Sequence, residues 1–165
     1  EALGVPVAIK LLRPELALRP NAFERFRSEL LLARQVSSPH VVRIHDIARH
    51  DFGTGEARWL ISMDLVEGEA LDHRLDHGPL PVDEALRIAR HVALGLEAAH
   101  ARDVVHRDLK PANVLIDAAG NAYISDFGVA RSIAGSARSA TAGIVGTPDY
   151  LSPEQARGDP VGPRS

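Results

Sequence analysis

The run His106-Arg107-Asp108-Leu109-Lys110-Pro111-Ala112-Asn113, followed by Asp126-Phe127-Gly128, gathers two carboxylates, a lysine and a carboxamide in a short stretch of chain. Each has a use in moving a phosphoryl group from a magnesium nucleotide to a hydroxyl. A carboxylate such as Asp108 can accept or orient the hydroxyl proton, a service worth about 10²–10⁴-fold in rate. Asn113 and Asp126 offer hard oxygen donors of the kind Mg²⁺ takes, with nucleotide phosphates and water completing the octahedron. Lysine presents a compact ammonium that can approach a phosphate oxygen, whereas the arginine guanidinium is larger and forked. Any one of these residues could simply cap a turn. The set at this spacing does not read that way.

Elements that would position the set can be traced along the chain. Val5 to Leu12, apolar and rich in β-branched residues, reads as a strand carrying Lys10. Asn21 can cap a helix to about Val36, with Phe23, Phe26, Leu30 and Ala33 on one face. Val41 to Ala48 and Arg58 to Leu65 read as strands joined by the loop at Asp51–Gly55, and Ala70 to Asp76 as a short helix. Pro81 opens a long helix to about Ala101, with Leu86, Ala89, Ala93, Leu96 and His100 on its apolar face. Short strands follow near Val104-Val105, Val114–Ile116 and Ala122–Ser125, interleaved with the polar motifs. Arg131 to Val145 lacks periodicity and reads as a mobile loop. Strands with one helix, then mostly helix, suit an α+β fold of two lobes with a cleft between them.

These motifs resemble the catalytic and metal-binding loops of the eukaryotic-type serine/threonine protein kinases, most of all the bacterial members. The resemblance implies a two-lobed kinase fold, truncated at both ends, with residues 1–65 in the strand-rich lobe and 66–165 in the helical one. It also implies ATP and Mg²⁺ as cofactors and Ser/Thr hydroxyls of a protein as substrate. Lys10, in Val7-Ala8-Ile9-Lys10, would hold the α- and β-phosphates. Its implied partner is Glu29, nineteen residues on, with Glu24 as a rival one to two turns away. A carboxylate there would keep a desolvated lysine protonated and oriented. Asp108 becomes the base, Lys110 approaches the γ-phosphate, and Asn113 and Asp126 hold the metal. Ala8 and Leu115 would line the adenine slot beside Met63, with backbone groups of Asp64 and Val66 bonding the base. Phe127 would pack beneath the helix carrying Glu29, with His106 beside it as a core histidine. Gly146 to Glu154 resembles the segment closing the activation loop, with Ser152 where alanine is usual. Thr147, together with Lys110, points to serine/threonine substrates. A phosphate on Ser139 or Thr141 could pair with Arg107 and order that loop. Lysine usage agrees: Lys10 and Lys110 are the only lysines in an otherwise arginine-based chain.

Composition narrows the alternatives. The 165 residues are 45% hydrophobic and 25% charged with a net charge of −3, ordinary for one globular domain and unlike a nucleic-acid footprint. No apolar run approaches the roughly 18 residues of a spanning helix, and no signal peptide is seen. Absence of cysteine excludes disulfides and thiolate metal sites and fits the cytoplasm. Met63 is the only methionine, so the chain is expected to be an excerpt of a longer protein. Only nine residues precede Lys10, too few for the family's glycine-rich lid, and Gly53-Thr54-Gly55 is no substitute. The excerpt alone is therefore expected to be inactive. His73 and His77 have a metal-ligand spacing but no third ligand nearby, and a solvated face is the simpler reading. Two rivals remain: a non-catalytic, pseudokinase-like nucleotide-binding or scaffold module, and a small-molecule phosphotransferase of related fold. Intact Lys10, Asp108, Asn113 and Asp126 speak against the first, and the Gly146–Glu154 segment against the second.

Overall fold

The structure, a computed structural model, describes residues 4–12, 20–53, 57–127 and 148–165, with Pro20, Asn21, Ala22 and Pro148 described by backbone alone. Strand β1 (Val7–Leu11) alternates exposed Val7, Ile9 and Leu11 with half-buried Ala8 and Lys10, so Ala8 and Lys10 share a face. It pairs antiparallel with β3 (Ala57–Asp64), bringing Ala8 opposite Met63 and Lys10 opposite Ile61, and β2 (Ile44–Asp51) flanks β3 on the other side. Helix α1 (Pro20–Ala33) lays the expected stripe on this sheet. Phe26, Leu30 and Ala33 are buried, and Phe26 and Leu30 pack with Leu12, Ile61 and the partly buried Phe23, Trp59 and Met63. Burying a side chain such as Phe26 stabilises by about 1.5–3 kcal/mol. The helix begins at Pro20, so Asn21 lies inside its first turn and not at the cap position.

The second sheet joins β4 (Gly68–Ala70), β5 (Val114–Asp117) and β6 (Ala122–Ile124) in antiparallel order. Helix α2 (Leu71–Leu75) follows β4, and α3 (Val82–His100) packs on β6. The β5–β6 turn is tied by Asp117, whose carboxylate accepts from the Ala119 and Asn121 amides, the Asn121 side chain and the Tyr123 hydroxyl. Those bonds, first that from the Asn121 side chain, lower its pKa to about 2. His73 and His77 are exposed, with the His77 ring on the His73 carbonyl.

Three sequence expectations need correction. Residues 41 and 42 do not belong to β2: Val41 forms a parallel bridge to Ile124, and the Val42 amide donates to the Ile124 carbonyl at 2.9 Å. The backbone bonds assigned by pattern to one sheet are spent joining it to the other. Val104 and Val105 form no strand, because the Val104 amide is taken by the Ala99 carbonyl at the end of α3. Helix α3 buries Ile88, Gly95 and Ala99, with Val92 and Leu96 partly buried, while Leu86 stands 64% exposed. Of the expected face Leu96 packs against the core, while Leu86, Ala89 and Ala93 are exposed, so the buried stripe is turned toward Ile88, Val92, Gly95 and Ala99.

Between the sheets lies the core cluster of Ala33, Val36, Val41, Ala99, Val104, Ile124 and Phe127. Glycine is required at Gly95, where a Cβ would sit 2.8 Å from the His40 carbonyl oxygen and 2.9 Å from Ile124 Cδ1. The Ile124 methyl can shift; the carbonyl cannot, because it accepts from the Ile124 amide. Gly95→Ala should therefore destabilise by about 1–3 kcal/mol despite its better helix propensity. Chemical denaturation measures this, and a Gly95→Ala protein as stable as the parent would contradict the packing described.

Candidate functional site

His106 is the centre from which the polar loop is hung. It is 2% exposed and its ring lies 4.7 Å from that of Phe127. Nε2–H donates to the Ser125 carbonyl at 2.8 Å, which leaves Nδ1 bare to accept the Asp108 amide at 3.3 Å. One neutral tautomer thus fixes both the segment before Asp126 and the backbone of Asp108. Desolvation, the largest influence, pushes the His106 pKa below its ordinary value, in keeping with a core histidine.

Asp108 is clamped from the far side of its loop. Asn113, in a 3₁₀ turn at Pro111–Asn113, is 7% exposed and donates through Nδ2 to the Asp108 carbonyl at 2.7 Å and to Oδ2 at 3.2 Å. Lys110 Nζ lies 3.0 Å from the same Oδ2. The Asn113 carbonyl accepts from the Ser125 amide and hydroxyl, which ties the turn to the start of the Asp126 segment. Asn113 Oδ1, the amide atom able to ligate a cation, takes no hydrogen bond among the described residues. Asp126 has a left-handed backbone, φ 62°, as has Arg107, φ 66°. Such conformations cost of order 1–3 kcal/mol in bulky residues and persist only where surroundings enforce them.

The expected Lys10–Glu29 pair is replaced by two others. Lys10 Nζ lies 2.7 Å from Asp126 Oδ1. Glu29 Oε1 accepts from Arg107 Nη1 at 2.6 Å, so the arginine expected to face the activation loop reaches α1 instead. Arg107 Nε is buried and has no hydrogen-bond partner among the described residues. Sequence separation placed Glu29 on the right helix, but the choice between two cations depends on where α1 sits in space. Phe127 joins Ala33 of α1 in one cluster, as expected. Ala8, Met63, Val66 and Leu115 are half-buried, with Ala8 and Met63 on paired strands and Leu115 in β5. Asp64 meets His45 Nε2 at 2.8 Å through its side chain, and its amide donates to the Arg43 carbonyl. Ser139, Thr141, Thr147 and Gly128 lie outside the described residues, as does the expected loop at 131–145.

Sequence reasoning missed Ser125 and Gln155. Helix α4 (Pro153–Arg157) opens on a capping box between Ser152 and Gln155, and Gln155 Nε2 also donates to the Arg107 carbonyl at 2.6 Å. The capping box was readable from Ser152 and Gln155 three residues apart; the long-range bond was not. Among the described residues no three His, Cys, Asp or Glu side chains cluster as a metal site, and no helix is long and apolar enough to cross a membrane.

Two histidine rings make the stability of the fold sensitive to protonation, His106 at the site and His91 on α3. His91 stacks on His40 at 4.1 Å, and its Nδ1 accepts the Ala122 amide. Its pKa is lowered by desolvation, then by His40, Arg87 and Arg90, against a smaller pull from Asp117. At His106, the Ser125 bond, Asp108 and Asp126 oppose desolvation, while Lys110 adds to it. With both folded pKa values depressed, protonation favours the unfolded chain. Their stabilisation is complete above the ordinary value of 6.5 and is lost as pH falls below it. Thermal unfolding followed from about pH 7.5 down to about pH 5 should show a falling melting temperature. His106→Gln together with His91→Gln should flatten that dependence, and an unaltered slope would contradict the assignment.

Comparison with known proteins bears on the family of this chain. The family model described as "Protein kinase domain" matches residues 2–165. The chain is 39% identical over 161 residues to serine/threonine-protein kinase PknB of Mycobacterium leprae, covering 96% of this chain and 26% of that protein. It is 42% identical over 156 residues to a serine/threonine-protein kinase PknA of Corynebacterium glutamicum, 94% of this chain and 33% of the relative. With serine/threonine-protein kinase pkn2 of Myxococcus xanthus the identity is 42% over 170 residues, 99% of this chain and 20% of the relative. The chain thus spans a third or less of the length of these relatives. A match over nearly every residue, on a fold of sheet-rich and helical lobes with this loop geometry, makes the chain a member of the protein kinase family.

Proposed function

We propose that this chain carries the phosphoryl-transfer centre of a serine/threonine protein kinase that uses ATP and Mg²⁺. The observation that supports it most is the Asp108–Lys110–Asn113 cluster held by His106 and Ser125, with Lys10 and Asp126 in contact. Asp108 receives the proton of the substrate hydroxyl, and Lys110, 3.0 Å from it, neutralises charge on the transferring group. Lys10 holds nucleotide phosphates on the face it shares with Ala8. Asp126 and Asn113 would hold a hard divalent cation through their oxygens, and that cation would offset the negative charge that develops on the transferring group. Ala8, Met63 and Leu115 form the adenine slot, and Asp64 and Val66 offer their backbone to the base. The lobes divide at this hinge, at 65/66. The centre works in the cytoplasm, where its nucleotide is supplied.

Phosphorylation at Ser139 or Thr141 would put an anion in competition with Glu29 for Arg107, since charge-assisted bonds to phosphate match those to carboxylate. Thr147 joins the same segment as a contact for serine/threonine substrates. A pseudokinase-like role is the second reading, supported by the engagement of Glu29 with Arg107 in place of Lys10. Transfer of labelled phosphate from Mg-ATP to serine- and threonine-containing peptides by the full-length protein separates the two. Nucleotide binding with no transfer to peptide or to itself would favour the second.

A further inference from the structure

We infer that Gln155 is a positioning residue for the catalytic loop, acting on Asp108 through the backbone of Arg107; this rests on the kinase reading above. Arg107 is left-handed at φ 66°, which turns its peptide groups away from the course a regular loop would give them. Its carbonyl oxygen is met by Gln155 Nε2 at 2.6 Å, across 48 residues of sequence. The orientation of that amide is not arbitrary. Gln155 Oε1 accepts the Ser152 amide at 3.1 Å, and the Gln155 amide donates to Ser152 Oγ at 3.3 Å. With the oxygen end engaged in the capping box, the nitrogen end is the one left to face Arg107. Glutamate has the same shape but would set an acceptor against an acceptor.

Arg107 is thereby gripped at both ends. Its guanidinium is held by Glu29 on α1 and its carbonyl by Gln155 on α4, and the next residue is Asp108. The Asp108 amide rests on His106 Nδ1 at 3.3 Å, a long bond, and the Asp108 carbonyl on Asn113 Nδ2 at 2.7 Å, so the side of the loop before Asp108 is the more weakly held. Gln155 adds a restraint on the residue before Asp108 and couples it to the segment that follows residue 147. In that arrangement the state of α4 sets the aim of Asp108.

Two variants of the full-length protein, Gln155→Glu and Gln155→Met, test this, with Ser152→Ala as a control for loss of the helix cap. Both Gln155 variants should lower kcat for peptide phosphorylation by about 10- to 100-fold, the scale of a slightly misplaced catalytic group, with the KM for ATP within about twofold of the parent. Amide hydrogen exchange at Asp108 should speed up in both and not in Ser152→Ala. Parental kcat in either Gln155 variant would overturn the inference, as would a kcat loss that Ser152→Ala reproduces in full. Should the parent itself transfer no phosphate, the kinase reading falls. Exchange at Asp108 then still decides the link, and an unchanged rate in both Gln155 variants refutes it.

Discussion

Asp108→Asn should lower kcat for peptide phosphorylation by about 10²–10⁴-fold, the range spanned by positioned proton acceptors. The substitution is close to isosteric, and an asparagine oxygen can still accept from Lys110 Nζ, now 3.0 Å from Oδ2. Asn113 Nδ2 keeps the residue 108 carbonyl, its shorter bond at 2.7 Å. The loop should therefore stay in place while basicity is lost. Nucleotide binding should be little changed, because Asp108 touches neither Lys10 nor Asp126 in the contacts described. Steady-state kinetics of the full-length protein, with nucleotide affinity measured separately, read the two effects apart. Turnover equal to the parent would remove Asp108 from the mechanism, and equal losses in turnover and nucleotide affinity would reassign it to binding.

Asp126→Asn should act on the other side of the reaction. Its carboxylate is both the partner of Lys10 at 2.7 Å and the stronger of the two oxygen donors suited to a cation. Changes to residues that merely hold a metal's ligands in place already cost about 10–100-fold in affinity, so loss of a ligating charge should weaken Mg-dependent nucleotide binding by at least about 10-fold. The signature is the dependence on Mg²⁺. In the parent, adding Mg²⁺ should tighten ATP binding, and in Asp126→Asn that increment should largely vanish. Lys10→Met should instead weaken binding with and without Mg²⁺, because it removes a phosphate contact. Calorimetric titration at several Mg²⁺ concentrations compares them. A full Mg²⁺ increment in Asp126→Asn would sink the metal assignment.

Much of this protein was legible before any coordinates. The His106–Asn113 run and Asp126-Phe127 are local patterns, and a contiguous motif with fixed turn chemistry carries its geometry with it. The β-branched run carrying Lys10 was legible as a strand, and the three- and four-residue spacing of Phe23, Phe26, Leu30 and Ala33 selected the buried face of α1 correctly. Periodicity fails where an element is apolar on two sides. In α3 both stripes satisfy the pattern, and only contact with Val41, Ile124 and the His40 carbonyl decides that Ile88, Gly95 and Ala99 go inside.

Tertiary structure alone decided which charges meet. Lys10 meets Asp126, neither Glu29 nor its rival Glu24, and Glu29 meets Arg107. A pair 78 residues apart in sequence, such as Glu29 and Arg107, forms or fails over a few ångströms of helix placement, a quantity no spacing rule contains. The left-handed backbone at Arg107 belongs to the same class, because arginine has no preference for it, while aspartate at 126 tolerates that region without demanding it. Bonds that join His106 to the Ser125 carbonyl, Asn113 to the Asp108 carbonyl and Gln155 to the Arg107 carbonyl surround these two residues, from segments far apart in the chain. Sequence determined which groups are present and which chemistry they suit, since side-chain identity and local spacing are written residue by residue. The packed structure decided their partners, because distance between remote segments is set by the whole core.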